Sequence, residues 1–178
     1  MQASRPLTVS RKPLLVGGSD AAFRTMLHDF MVYARRVEAI RDVLAAALGV
    51  TPPQYEILSH VRENQSSGGL SIGAIAARLH CSGAFITTEI GKLVLLSLVS
   101  KVRDPLDARK VIVRNTTRCE ARMRALASLQ SELNDRLFAS VNAQQFGMLC
   151  DLLPQLVIDG DQAAALATYR EQRSEKQA

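Results

Sequence analysis

Hydrophobic positions in the first third of the chain repeat with the period of a long helix. Between Ser19 and Leu48, apolar residues recur at alternating steps of four and three, which is a near-heptad spacing. Ser19 or Asp20 can cap the start of this helix, and Gly49 can close it. Such a stripe predicts packing along another helix, either in the same chain or in a second subunit. The stripe consists of Met26, Phe30, Tyr33, Val37, Ile40 and Leu44.

Two further helical stripes follow in the C-terminal third. Thr116 or Thr117 can cap a helix that runs to about Ser140. Asn142 and Gln145 have the spacing of a capping box, which opens a last helix. The stripe of the first helix consists of Met123, Leu126, Leu129 or Gln130, Leu133 and Leu137, and that of the last helix of Phe146, Leu149, Leu152, Leu153 and Leu156.

Both ends of the chain lack this regularity. Pro154 is expected to bend or end the last helix, because proline has no amide hydrogen to donate within a helix. Residues 159–178 are alanine-rich and then polar, which predicts a C-terminal tail with a short helix and a frayed end. Residues 1–18 show no periodicity, which predicts a flexible basic arm. That arm either touches phosphates or a minor groove, or is a mobile terminus without function.

Shorter elements occupy the middle of the chain. Leu70 can begin a strand of one or two residues. Three N-cap signals predict helices over 52–64, 72–79 and 83–96. The capping residues are Thr51 (with Gln54 completing a capping box), Ser71 and Ser82.

A β-hairpin is predicted directly after these helices. Residues 99–102 and 111–113 carry the β-branched content of two strands, and Asp104, Pro105 and Asp107 supply turn chemistry between them. A helix–turn–helix followed by such a hairpin is a winged helix, an arrangement that reads DNA. The predicted fold is therefore mainly α with a small β-hairpin wing: a winged helix–turn–helix core over 51–115, flanked by N- and C-terminal helices for dimerisation.

The charge distribution supports this interpretation. The net charge is +5, but residues 70–124 alone hold ten Lys and Arg against four Asp and Glu. Residues 20–69 and 125–178 are net negative. Positive charge is thus concentrated in the winged-helix segment, as expected for a surface that faces phosphates. The alternative is an ordinary solvated basic face.

The helix over 83–96 is the predicted recognition helix. Ile86, Ile90 and Leu93 should face the core, and the opposite face carries small residues, hydroxyls and one cation. These suit base edges, thymine methyl groups and phosphates. Phe85 either contacts a thymine methyl or folds back onto the core. The candidate DNA contacts in this helix are Ser82, Ala84, Phe85, Thr87, Thr88 and Lys92.

Other functional classes find no support in the sequence. There is no glycine-rich phosphate loop, GxSxG or HExxH motif, so we expect neither an enzyme nor a cofactor. No apolar run is long enough to span a membrane, and no signal peptide is recognisable. The three cysteines, Cys81, Cys119 and Cys150, have no CxxC spacing, which favours a reducing cytoplasm over a disulfide framework. His28, His60 and His80 are far apart and no CxxC pair exists, so no metal site is predicted.

With these elements placed, the sequence resembles the MarR family of bacterial transcriptional regulators over residues 20–157. The resemblance rests on TPPQYEIL at 51–58, SIGAIAARL at 71–79 and the run from Leu93 to Val113, which contains DPLDAR at 104–109. It implies one domain over 19–158, with 19–48 and 116–158 interlocking two subunits. It also implies a homodimer that represses transcription at a pseudo-palindromic operator in double-stranded DNA.

The resemblance also assigns roles in the wing. Asp107 would hold the base of the hairpin or orient the arginine, Arg109 would enter the minor groove or contact phosphates, and Lys110 would lie beside it. Three positions depart from the usual family pattern. Ser97 replaces a glycine at the end of the recognition helix, Asn115 replaces a leucine, and Cys119 often corresponds to a glycine.

Members of the family often respond to small aromatic or lipophilic acids, and Tyr33, Arg36 and Tyr55 are the candidate wall residues for such an effector. Tyr55 is alternatively a core residue, and Arg36 a surface or interface cation. Two other interpretations stay open. Cys81 precedes the recognition helix and is either a redox-sensing thiol or a buried structural cysteine. The winged helix could also bind a protein instead of DNA.

Overall fold

A computed structural model of the protein describes residues 5–103 and 110–175 and is mainly helical. The chain divides into two compact units, one extending to Asn134 and one beginning at Asp135. The elements are α1 (Ala21–Leu48), α2 (Pro52–Glu63), β1 (Leu70–Ser71), α3 (Ile72–Arg78), α4 (Gly83–Leu95), β2 (Val99–Arg103), β3 (Val111–Asn115), α5 (Thr117–Leu137) and α6 (Ala143–Glu175). The predicted fold class, a winged helix–turn–helix flanked by N- and C-terminal helices, is confirmed.

Local cap chemistry sets the helix boundaries close to where the sequence predicts them. Gly49 takes a left-handed conformation with φ of +73° and closes α1. Thr51 and Gln54 form the expected capping box at the start of α2. The Ser71 hydroxyl accepts a hydrogen bond from the Ala74 amide, and that of Ser82 accepts one from the Phe85 amide. The short helices α3 and α4 therefore begin at fixed residues.

The three strands form one antiparallel sheet in the order β1-β3-β2. Leu70 pairs with Val113 on one side of β3, and Lys101 pairs with Val113 on the other. The strand expected at Leu70 is therefore present, and it joins the wing hairpin to the helices. Gly69 makes this approach possible, because its φ is +98° and a Cβ atom there would collide with the Val113 carbonyl oxygen.

The core of the first unit lies between the helices and this sheet. Leu58, Ile75, Ile90 and Val113 are each fully buried and represent α2, α3, α4 and β3. Leu44 and Leu48 bring in the last turns of α1. Most of α1 before Leu44 is exposed, so only the C-terminal end of this helix belongs to the core.

The N-terminal segment is more ordered than its composition predicts. Lys12–Leu14 form a 3₁₀ turn, and Val16 bridges to Ser19. The Thr8 amide and hydroxyl both donate to one carboxylate oxygen of Asp20, at 2.8 and 2.7 Å. Hydrogen bonds thus join Thr8, in the segment predicted to be a flexible basic arm, to the N-cap residue of α1.

The last helix also differs from expectation. Pro154 does not end it, and α6 continues through Gly160 to Glu175. Residues 159–175 are therefore helical instead of forming a tail with a short helix and a frayed end. No helix in the described ranges combines the length and the apolar character needed to cross a lipid bilayer.

Candidate nucleic-acid interface

The two faces of α4 divide as the sequence predicts. Ile86, Ile90 and Leu93 are fully buried against the core. The opposite face is exposed along the first two turns of the helix. Phe85 is 39 % exposed, so it does not fold back into the core. The exposed candidate contacts are Ser82, Ala84, Phe85, Thr87, Thr88 and Lys92.

The two threonines of this face are held by the helix itself. The Thr87 hydroxyl donates to the Gly83 carbonyl oxygen at 2.7 Å, and the Thr88 hydroxyl donates to that of Ala84 at 3.1 Å. Because each hydroxyl proton is used within the helix, the outward surface offers hydroxyl lone pairs and methyl groups. These groups can accept hydrogen bonds from base amines and pack on thymine methyls.

Lys92 is less free than its exposure suggests. Its ammonium lies 2.6 Å from Oε1 of Glu89, one turn back on α4. Glu89 is almost completely buried, and its other oxygen, Oε2, accepts a hydrogen bond from Gln54 Nε2 at 2.9 Å. The Lys92 hydrogen bond, opposed by burial and assisted by Gln54, lowers the pKa of Glu89. The carboxylate is thus ionised at neutral pH.

The wing, which follows α4 in the sequence, has a basic surface. Lys101 and Arg103 on β2 and Lys110 before β3 are exposed. Asp107 and Arg109, the candidate contacts at the wing tip, lie outside the described residues. The basic residues that are concentrated in this part of the sequence are therefore exposed at the base of the wing.

Two side chains anchor the wing to the loop that follows α2. The side-chain Nε2 of Gln65 donates to the Asn115 carbonyl oxygen at 3.0 Å, and its Oε1 accepts from the Asn115 amide at 3.1 Å. The Gln65 side chain thus pairs with this backbone as a neighbouring strand would. The Arg114 Nε donates to the Gly68 carbonyl oxygen at 2.7 Å. The sequence analysis did not single out Gln65 or Glu89, since neither belongs to a motif or an apolar period. Only the capping-box position of Gln54 gave a signal.

The three departures from the family pattern have distinct structural consequences. Ser97 has a left-handed φ of +57° without being glycine. Asn115 is buried, and its amide donates to the Leu58 carbonyl oxygen at 3.0 Å. Cys119 is buried too, and burial together with the nearby Glu120 raises its pKa to about 11.

The candidate effector residues lie in different environments. Tyr33 and Arg36 are exposed on α1, whereas Tyr55 is 4 % exposed and belongs to the core cluster. Tyr33 is 37 % exposed, and the partial loss of solvent around its hydroxyl raises its pKa. A cavity of about 240 Å³ is lined by other residues, where α1 ends against α5. Its lining consists of Ala47, Leu48, Arg122, Ala125 and Leu126.

Cys81 is exposed, so the interpretation of it as a buried structural cysteine is wrong. Its thiol lies 3.2 Å from the Leu79 carbonyl oxygen, in the turn before α4. Among the residues that the structure covers, no cluster of His, Cys, Asp and Glu side chains could hold a metal ion.

The short helices α3 and α4, the second with an exposed polar face, and a three-stranded sheet with a basic hairpin form a winged helix–turn–helix, a fold typical of DNA-binding proteins. A MarR family model matches residues 48–110, from the end of α1 to the start of β3. Over this segment the chain is similar to the MarR family of transcriptional regulators. No curated protein matches the chain in sequence.

Solved structures of MarR regulators share the fold at low sequence identity. A MarR protein from Peptoclostridium difficile superimposes with a TM-score of 0.63 at 18 % identity, covering 89 % of this chain and 97 % of that one. MepR from S. aureus, solved as a DNA complex, gives 0.62 at 18 % identity, covering 74 % and 96 %. PcaV from Streptomyces coelicolor, solved with its natural ligand, gives 0.54 at 24 % identity, covering 70 % and 88 %.

Proposed function

We propose that the protein is a ligand-responsive repressor that binds a pseudo-palindromic operator as a homodimer, one recognition helix in each major-groove half-site. The observation that carries the proposal is the exposed face of α4. Thr87 and Thr88 are exposed on one side of α4, and the fully buried residues on its other side pack in the core. A rigid helix with small polar groups on its free face suits readout of base edges.

The wing supplies the second contact. Lys101, Arg103 and Lys110 are exposed around its base, and we assign Arg109 at its tip to the minor groove or to phosphates, with Asp107 orienting it. Phosphate contacts of this kind fix the position of a protein on DNA but do not read its sequence. MepR, which shares the fold, has been solved bound to DNA.

Exposed apolar surface supports a homodimer. The first two-thirds of α1 and most of α6 expose large hydrophobic side chains, far more than single scattered residues. A second copy of the same chain would cover both helices in a symmetric interface. The exposed side chains are Met26, Leu27, Phe30, Met31, Val32, Tyr33 and Val43 on α1, and Phe146, Met148, Leu152, Leu153, Leu156, Val157, Ile158, Leu166 and Tyr169 on α6.

The effector we propose is a small aromatic or lipophilic acid. Tyr33 and Arg36 are one turn apart on the exposed part of α1, where an aromatic ring and a guanidinium could bind such a molecule. Tyr55 is buried in the core and would contribute only from beneath the surface. PcaV, which shares the fold, has been solved with its natural ligand.

Two alternatives use other features. Regulation by thiol oxidation would act through Cys81, which is exposed next to α4. A winged helix that binds a protein partner would not require the clustered basic residues of the wing.

The test is fluorescence anisotropy with a labelled duplex from the region upstream of the protein's own gene, competed with random-sequence duplex and repeated across salt. Tight binding that survives the competitor supports a sequence-specific regulator. Binding that random DNA abolishes would refute this operator, and selection from a random DNA pool would then separate a wrong operator from a protein-binding role.

The wing assignment has its own test in the same assay. Arg109→Ala should weaken operator binding by about 1–3 kcal/mol at fixed salt. The matched control is Arg173→Ala near the end of α6, which removes the same charge far along the chain from the wing. Unchanged affinity of Arg109→Ala would overturn the role of the wing.

A further inference from the structure

Glu89 is a buried acid on α4, the helix whose exposed face we assign to DNA. It is 6 % exposed, and each of its two carboxylate oxygens has one partner. Oε2 accepts from Gln54, the same side chain whose Oε1 accepts from the Thr51 amide in the capping box of α2. Oε1 faces the Lys92 ammonium. Glu89 therefore connects the first turn of α2 to the one cation on the recognition helix.

A buried carboxylate is costly unless it is paired, so its presence here requires a reason. A leucine or methionine would fill the same space between α2 and α4 without desolvating a charge. Neither residue, however, could form an ion pair with the Lys92 ammonium. The Lys92 side chain is more than half exposed, and its flexible stem would otherwise let the ammonium move freely over the DNA-facing side.

We propose that Glu89 is a specificity-determining residue that acts through Lys92: it restrains and charge-compensates that ammonium, and so suppresses sequence-independent binding to phosphates. This inference rests on the proposed role of α4 in reading DNA. Non-specific binding is almost wholly electrostatic, and an unrestrained lysine can form an ion pair with any phosphate within reach. A lysine held one turn from its carboxylate contributes only where the docked geometry brings a phosphate or base edge to it.

The decisive variant is Glu89→Gln. Glutamine keeps the volume of the side chain and can still accept a hydrogen bond from Gln54, but it releases Lys92. We expect a random-sequence duplex to bind about 3- to 10-fold more tightly, with a salt slope steeper by up to about one. Binding to a duplex selected from a random pool should change less, so that the ratio of specific to non-specific affinity falls.

The effect must depend on Lys92. In the background of Lys92→Met, Glu89→Gln should no longer change random-duplex affinity, because no ammonium is left to release. The matched control is Glu56→Gln, which raises the net charge equally but breaks the ion pair between Glu56 and Arg41, 2.5 Å apart, at the junction of α1 and α2. This control should leave the ratio of the two affinities unchanged.

Lys92→Met alone provides an independent test that does not depend on the folding of the Glu89 variant. A restrained lysine contributes little to random-duplex binding, so its loss should weaken that binding less than about twofold. Loss of the exposed Lys101 should weaken it several-fold. Equal losses at the two positions would overturn the proposal.

The remaining outcomes are distinguishable. An unchanged affinity ratio in Glu89→Gln, weaker random binding, or the same change in the Lys92→Met background overturns the role of Glu89 alone. Failure of the unaltered protein to bind either duplex overturns the proposed function and this inference with it.

Discussion

At the scale of single residues, Ser97 is one of two non-glycine residues in the described ranges with a positive φ, the other being His80. The Ser97 φ of +57° lies in the left-handed region, just after α4, and the Ser97 carbonyl oxygen accepts a hydrogen bond from the Thr116 hydroxyl at 2.8 Å. That contact uses the backbone of Ser97, so the side chain is not needed to keep it. The turn therefore holds a serine in a conformation that glycine adopts without strain.

Ser97→Gly should accordingly stabilise the protein by about 0.5–1 kcal/mol, because relief of the left-handed strain outweighs the larger entropy of glycine in the unfolded chain. Urea denaturation with equal slopes for both proteins measures this difference. Ser100→Gly in strand β2, where glycine has no conformational advantage, is the control and should destabilise. A loss of stability in Ser97→Gly would contradict the argument.

Asp20 makes a second prediction at the residue scale. Hydrogen bonds from the Thr8 hydroxyl and amide, with the Arg24 guanidinium, lower the pKa of Asp20 from its ordinary value of 3.8 to about 2. A depressed folded-state pKa stabilises the fold above the unfolded-state pKa, and this contribution is lost as the pH falls through the folded-state value. The contribution is therefore complete above about pH 4 and disappears towards pH 2.

The measurement is the difference in melting temperature between the unaltered protein and Asp20→Asn as a function of pH. It should be constant from neutral pH to about pH 5 and should shrink below about pH 4. Asp29→Asn, at an exposed position on the same helix, is the control for the loss of one carboxylate. A difference that stays constant down to pH 2 would show that the Thr8 contact does not lower the pKa of Asp20.

At the scale of elements, two glycines with opposite environments test two features of the fold. Gly160 lies within the continuous helix α6, and a Cβ atom there would meet nothing within 4 Å. Gly69 has a φ of +98°, and a Cβ atom there would collide with β3. The same substitution should therefore have opposite effects at the two sites.

Gly160→Ala should stabilise by about 0.5–1 kcal/mol, because alanine is the better helix former. Gly69→Ala should destabilise by about 1–3 kcal/mol through backbone strain and displacement of the sheet. Thermal melts followed by circular dichroism at one protein concentration measure both. A stability loss in Gly160→Ala would mean that α6 does not run unbroken through residue 160.

At the scale of the whole molecule, the exposed stripe on α1 should control assembly. Phe30 is 47 % exposed in the single chain, and in a symmetric interface it would be buried twice. Phe30→Glu should therefore weaken dimerisation by about 100-fold or more, since each buried aromatic ring contributes about 1.5–3 kcal/mol. Sedimentation equilibrium reports the dissociation constant.

The control for this experiment is His28→Glu, two residues away and on the opposite face of the same helix. It should leave the dimer intact. If both variants remain dimeric at the same concentrations, the stripe on α1 does not form the interface. If both dissociate, general loss of helix stability and not the stripe is responsible.

The sequence by itself determined the elements that depend on neighbours along the chain. Helix caps, the proline after Thr51, the glycine at 49 and the β-branched runs at 99–102 and 111–113 act within a few residues. They therefore predict boundaries without knowledge of the fold. The apolar periods likewise predicted which side of α4 is buried. These signals were enough to predict a winged helix and the exposed side of α4.

Only the tertiary structure decided the contacts between residues far apart in the chain. Glu89 meets Gln54, and Gln65 meets Asn115, across separations of 35 and 50 residues. No local pattern marks a polar residue whose partner comes from another element. The same reason explains why Thr8 meets Asp20 in a segment that looked flexible. The helix α6 continues past Pro154, where local propensity predicted a bend or an end. Local chemistry fixes where elements begin, whereas packing decides which polar side chains are buried, paired and restrained.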